Sequence, residues 1–170
     1  ELWEMIYRVK PGDNYGWSIL EHTQAVHPER PRGPTPIVPP TVAHSHTESR
    51  SITGGYVYRG SKIKDLYGSY VYGDYVTGKL WGVEVKEDSV GDPRELANSS
   101  IQVICFGVDH DRELYVVGYD GTVNQLIPNP EPDTSKQFPK TLAATGLFSS
   151  IEKHQLAPGV IPYGINAEPW

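Results

Sequence analysis

Four residues ahead of the first strongly patterned run have side chains that could do chemistry: His44 and His46 in the stretch AHSHTESRS, then Arg50 and Ser51. In an extended segment, residues two apart point the same way, so both imidazoles could face one cavity and serve metal binding or proton transfer near neutral pH. The competing reading is a pair of solvated loop histidines. Arg50 and Ser51 would suit an anionic cofactor or sugar hydroxyls, or else form a strand entry satisfied by backbone. Asp109, Asp111 and Glu113 alternate like the start of a calcium loop. Leu114 stands where such a loop needs glycine and Asp120 where it needs a terminal glutamate, so a solvated hairpin turn is expected there. Asp74 and Asp120, beside Gly78 and Gly121, read as turn chemistry. The one cysteine, Cys105, sits between Ile104 and Phe106 and is expected to be a buried, unreactive strand residue. His22, His27, His110 and His154 show no ligand spacing.

The elements that must position these groups centre on residues 51–86, where aromatic and β-branched runs alternate with glycine-bearing turns. Strands are expected near 53–59, 69–74 and 79–86, with a weak outer one near 94–98. A second set follows at 101–108, 112–118 and 121–127. Tyr56-Val57-Tyr58 lines up with Ile104-Cys105-Phe106 at an offset of 48, Tyr70-Val71 with Tyr115-Val116 at 45, and Gly78 with Gly121 at 43. A period in the forties made of strands and turns is the signature of β-propeller blades. Rings at Tyr56, Tyr58, Tyr70, Tyr72 and Trp81 recur with a period of two, which suits packing between blades more than a sugar-stacking platform.

The fold expected is therefore all-β: about two and a half four-stranded antiparallel blades, with a short irregular or helical C-terminal tail. Residues 1–9 read as a strand whose Leu2-Trp3 resembles Leu80-Trp81, at an offset of 78. That exceeds a period of about 45 by roughly 33 residues. A long proline-rich insertion over 18–50, without sustained strand periodicity, accounts for the surplus. Blades then occupy 1–127, a linker 128–139, and the start of a following segment 140–170. Within 140–170 a pair of short helical turns is expected, Thr141–Gly146 and Ser149–His154, the second opened by a capping box of Ser149 with Glu152.

Bulk properties narrow the partners. A composition of 38% hydrophobic and 21% charged residues is globular, and eleven Tyr, four Trp, 17 Gly and 15 Pro favour strands and turns over long helices. A net charge of −6 without a basic stripe argues against nucleic acid, and no apolar run approaches the roughly 20 residues of a membrane span. The start at Glu1 and end at Trp170 read as those of an internal piece.

The ordered set Leu2-Trp3-Glu4, Asn14-Tyr15-Gly16-Trp17, Ser51 to Gly60 (SITGGYVYRG) and Glu113 to Val117 (ELYVV) resembles the glucose/sorbosone dehydrogenase family over about residues 1–127. The tail, from Phe138-Pro139-Lys140 to Asn166-Ala167, is similar to the segment that precedes a c-type haem domain in large bacterial proteins. This resemblance implies a six-bladed ring, in the periplasm or outside the cell, that oxidises a sugar or related polyol. Hydride would pass from the sugar hydroxyl to pyrroloquinoline quinone held with calcium, and electrons to a downstream c-type cytochrome domain carrying haem. The catalytic histidine of such proteins comes from an earlier blade, so no catalytic residue is expected within this chain, and metal ligands are left unassigned. The basic residues that pair with the quinone carboxylates fall near Val76, Ile101 and Val103, none of them cationic. His46, Arg50 and Ser51 are then the cofactor-side candidates, with Lys79 a further one if the register shifts. The alternative is a non-enzymatic propeller that binds a glycan or protein partner through the 18–50 loop. A calcium-dependent hydrolase would want carboxylates at inner strand ends, for which Asp74 stands alone.

Overall fold

The computed structural model describes residues 2–87, 89–129 and 139–160. The chain divides into two compact units, Glu1–Pro128 and Asn129–Trp170, each taken by itself. The structure is all-β, with every strand pair antiparallel. No helix among the described residues is long and apolar enough to cross a membrane.

The middle of the first unit is a four-stranded meander in the order β5-β6-β7-β8, formed by Ile52–Val57, Ser69–Asp74, Lys79–Glu84 and Arg94–Asn98. In β6 the run SYVYGD is buried almost throughout. Successive side chains of a strand point to opposite faces, so both faces of this sheet must be covered. On one face Val71 and Leu80 pack with Tyr58, Leu66, Val103, Phe106, Leu114 and Val116. On the other, Tyr72, Trp81 and Val83 pack with Val42. The tyrosines and Trp81 are thus divided between two cores, and Tyr56 stays exposed. A pleated strand sandwiched in this way has no polar side, which is why the sequence shows a nearly unbroken aromatic and β-branched run.

The first of these faces is covered by the sheet β11-β10-β9, made of β9 (Val103–Val108), β10 (Leu114–Gly118) and β11 (Val123–Gln125). Its register repeats that of the meander. Thr53 pairs with Gly73 and Tyr56 with Val71; Val103 pairs with Gly118 and Phe106 with Val116. In both pairs the first strand sets one residue more than its partner between those points, a β-bulge at the same place. Pairing therefore aligns Tyr56 with Phe106, two residues from the correspondence that sequence spacing suggested, while Val71 and Val116 keep theirs.

The same bulge corrects the expectation for Cys105. With Ile104 as the extra residue, Val103 and Phe106 both face the core, and Ile104 and Cys105 are both exposed. Glu113 departs in the opposite direction. The turn after β9 forms as expected, with Asp109 accepting the amides of Asp111 and Glu113 at 3.0 and 2.9 Å. Glu113 itself is fully buried rather than solvated, and accepts Tyr58 Oη at 2.7 Å and the amides of Ser61 and Lys62 at 2.9 and 3.1 Å.

The opposite face of the meander meets a two-stranded sheet of β1 (Trp3–Ile6) and β4 (Val42–Ser45). The 18–50 stretch, read as a loop, thus contributes β4, and also a small hairpin of β2 (Leu20–Glu21) and β3 (Gln24–Ala25). In β4 the buried positions are Val42 and His44, so its inward face carries a polar side chain and the alternation is hidden. In the second unit a 3₁₀ turn spans Leu142–Thr145, capped by Thr141 and closed by a left-handed Gly146, as expected. The second expected helical turn is instead a hairpin, β12 (Phe148–Ser150) with β13 (Gln155–Leu156). Ser149 caps no helix there; its hydroxyl donates across the hairpin to the carbonyls of Gln155 and Leu156. Most of the expected linker, at 130–138, lies outside the described residues, as do Asn166 and Ala167.

Gly78 closes the β6–β7 turn at φ 69°, and a Cβ there would come within 2.1 Å of the Ser99 carbonyl oxygen. Replacing Gly78 with Ala should lower unfolding free energy by about 2–3 kcal/mol in urea denaturation, whereas Gly107→Ala, where a Cβ meets nothing within 4 Å, should cost far less.

Candidate functional site

The candidate residues fall on the crossing from β4 to β5, and its geometry is set by two carboxylates. Asp74, at the end of β6, is fully buried. Its Oδ2 accepts the amides of Arg50 and Ser51 at 2.7 and 2.6 Å, and its Oδ1 those of Val76 and Thr77 at 3.0 and 2.6 Å. One side chain therefore caps its own turn and clamps the entry to β5. Burial by itself would raise the Asp74 carboxyl, but the amides of Ser51, Thr77 and Arg50 outweigh it and hold the group below its ordinary 3.8. Glu4, in β1, accepts the Ile52 amide through Oε2 at 2.8 Å, and its Oε1 lies 3.2 Å from His46 Nε2.

The two histidines do not converge. His44 is buried between the sheets, its Nε2 2.7 Å from Tyr72 Oη, its Nδ1 3.4 Å from Glu48, and its ring 4.5 Å from that of Trp81. Burial pushes the Tyr72 hydroxyl well above its ordinary range, so it stays protonated and can donate to His44. His46 lies beyond the end of β4, half-buried, against Glu4. Arg50 is exposed and donates through Nε to the His46 carbonyl at 3.2 Å. Ser51 contributes its amide to Asp74. Lys79 has partners of its own: Glu95 at 2.9 Å and the Trp81 ring at 5.3 Å.

His46, Arg50 and Ser51 are thus brought together, while His44 and Lys79 are engaged elsewhere. An imidazole oriented by a carboxylate is competent to accept a proton, and Arg50 could take an oxygen ligand beside it. Among the described residues no group of three or more His, Cys, Asp or Glu side chains is placed to hold a metal ion. A quinone tricarboxylate does not fit these groups: Glu4 and Asp74 lie in the same crossing as Arg50, and Lys79 is already neutralised by Glu95. Sequence reasoning assigned no role to Glu4, and gave Asp74 its turn and a place as a lone inner-strand-end carboxylate. The aspartate's Asx turn is a local signal, but its grip on residues 50 and 51 crosses the sheet and leaves no mark in spacing.

A second feature belongs to the 18–50 stretch, where a groove of about 600 Å³ is lined by Leu20, His22 and Thr23 on one side and by residues 32–37 and Pro39 on the other. Asn14 braces it: Nδ2 donates to the carbonyls of Arg32 and Thr35 at 3.3 and 3.2 Å, and its own carbonyl accepts the Val38 amide at 2.7 Å.

No protein-family model matches the sequence. The chain is similar to HIPL1 protein of Arabidopsis thaliana, 26% identical over 195 residues, an alignment covering 91% of this chain and 28% of that relative. It thus spans well under a third of the relative's length.

Asp74→Ala should destabilise the first unit by at least about 3 kcal/mol, since four amides lose a charged acceptor. A carboxyl held low in the folded state stabilises fully above its ordinary 3.8, and this contribution is lost as pH falls through the lower folded-state value. Asp74→Asn should therefore flatten that portion of the acid limb in pH-dependent denaturation; an unchanged limb would show that the carboxylate contributes nothing there.

Proposed function

We propose that residues 1–128 are blades of a six-bladed β-propeller in a protein that oxidises a sugar hydroxyl by hydride transfer to pyrroloquinoline quinone and passes the electrons to a haem domain. The observation that carries the architectural half is the repeat between β5-β6 and β9-β10: two meanders in succession, the same bulge in each first strand, stacked face to face. Neighbouring blades pack in this way. The β1-β4 sheet on the other face of the meander would be the outer portion of a preceding blade. The chemical half rests on the resemblance of the ordered motifs to glucose/sorbosone dehydrogenases. In this reading the chain supplies walls of the substrate side, with His46, Arg50 and Ser51 available to sugar hydroxyls. The cofactor's anchors are not among the described residues.

A second reading is favoured by the braced groove. It is a non-enzymatic propeller whose 18–50 segment binds a glycan or protein partner, and it needs no quinone.

The two separate in one experiment. The full gene product, loaded with pyrroloquinoline quinone and calcium, should reduce an artificial dye in the presence of aldoses, and residues 1–170 alone should show no turnover. Failure of the full product to bind the quinone at all would sink the dehydrogenase reading and leave the binding one.

A further inference from the structure

The groove of the 18–50 segment has a chemical character of its own. Its one fully charged lining side chain is Arg32, no Asp or Glu lines it, and Arg32 forms no ion pair among the described residues. In a chain of net charge −6 that is a local reversal of sign. Beside it stand His22, Thr23 and Thr35, while Leu20, Ile37 and prolines supply apolar walls. Its imidazole and its backbone are held in place. The His22 ring stacks on Trp3, with centroids 4.5 Å apart and planes 13° from parallel, and its Nδ1 lies 3.1 Å from Thr23 Oγ1. That leaves Nε2 for a ligand. Asn14 fixes the backbone at both Arg32 and Thr35, and Pro34 stiffens the chain between them.

A cation, an imidazole and hydroxyls facing aliphatic walls match a ring with one carboxylate, several hydroxyls and apolar C–H faces. A volume of about 600 Å³ suits a ligand of one or two sugar rings. We propose that this groove binds a uronic-acid residue of an acidic saccharide, with Arg32 taking the carboxylate and His22 and Thr23 the ring hydroxyls. Guanidinium and carboxylate match in planar geometry, and the aliphatic walls take the C–H face of the pyranose. The assignment rests on the second reading only in making 18–50 a ligand-binding segment, and it holds whether or not the protein oxidises sugars.

The test is calorimetric titration of the intact protein with galacturonate disaccharide, its methyl ester and an acidic tetrapeptide. The free acid should bind saturably, at least about 10-fold tighter than the neutral ester, and more weakly as salt rises. Arg32→Ala should erase that preference, and Arg32→Lys should restore some of it. Arg32 is exposed, so neither variant is expected to disturb folding, which circular dichroism would check. Equal affinity for acid and ester, tighter binding of the peptide, or an Arg32→Ala protein with undiminished preference would each overturn the proposal. The dehydrogenase reading stands or falls separately: dye reduction by the full product with no uronide binding defeats this inference alone, and uronide binding without quinone binding defeats that reading alone.

Discussion

The Asp74 carboxylate is the interaction on which the rest of the first unit depends. It accepts four amides, two from its own turn and two from the chain entering β5. An anionic oxygen buried without donors would be strongly unfavourable, so these bonds are obligatory rather than incidental. With them in place the β6–β7 turn and the start of β5 are one body, and Ile52 falls opposite Asp74. From that fixed point the bulge sets Tyr56 against Val71 and sends Tyr58 into the core, where its hydroxyl meets Glu113.

Glu113 does for the next sheet what Asp74 does for the meander. Its carboxyl is held below its ordinary range by the hydrogen bond from Tyr58, opposed by burial and helped by the amides of Ser61 and Lys62. Gly60 leaves room for it, since a Cβ there would lie 2.7 Å from the carboxyl carbon. One buried acid therefore locks the meander internally and the other ties the following sheet to it, both through backbone amides, and both carboxylates are occupied by these bonds. The side chains that remain accessible on the crossing, His46, Arg50 and Ser51, owe their placement to this frame.

Much of the architecture was legible in the chain. The strand at 69–74 matches its expected bounds, and those from 79 and 94 start where the pattern placed them, because aromatic and β-branched runs between glycine turns have few other solutions. β4 is hidden in the sequence because its inward face pairs Val42 with a histidine that only Tyr72, Trp81 and Glu48 make acceptable there. The hairpin at 148–156 reads as a helical turn because a Ser with Glu three residues on is a local pattern, while the strand pairing that replaces it is not.

The amino-acid sequence alone determined the class of structure, the turn positions and the repeat of two similar sheets, since all three follow from local preference and spacing. Tertiary structure decided which face each residue took after the bulges, hence the exposure of Cys105 and the burial of Glu113. It also decided the fate of the candidate site. His44 and His46 share a spacing that would let them act together, yet one is absorbed into a core and the other held by Glu4. The donors and acceptors that separate them come from strands up to 42 residues away, and one-dimensional spacing carries no record of such partners.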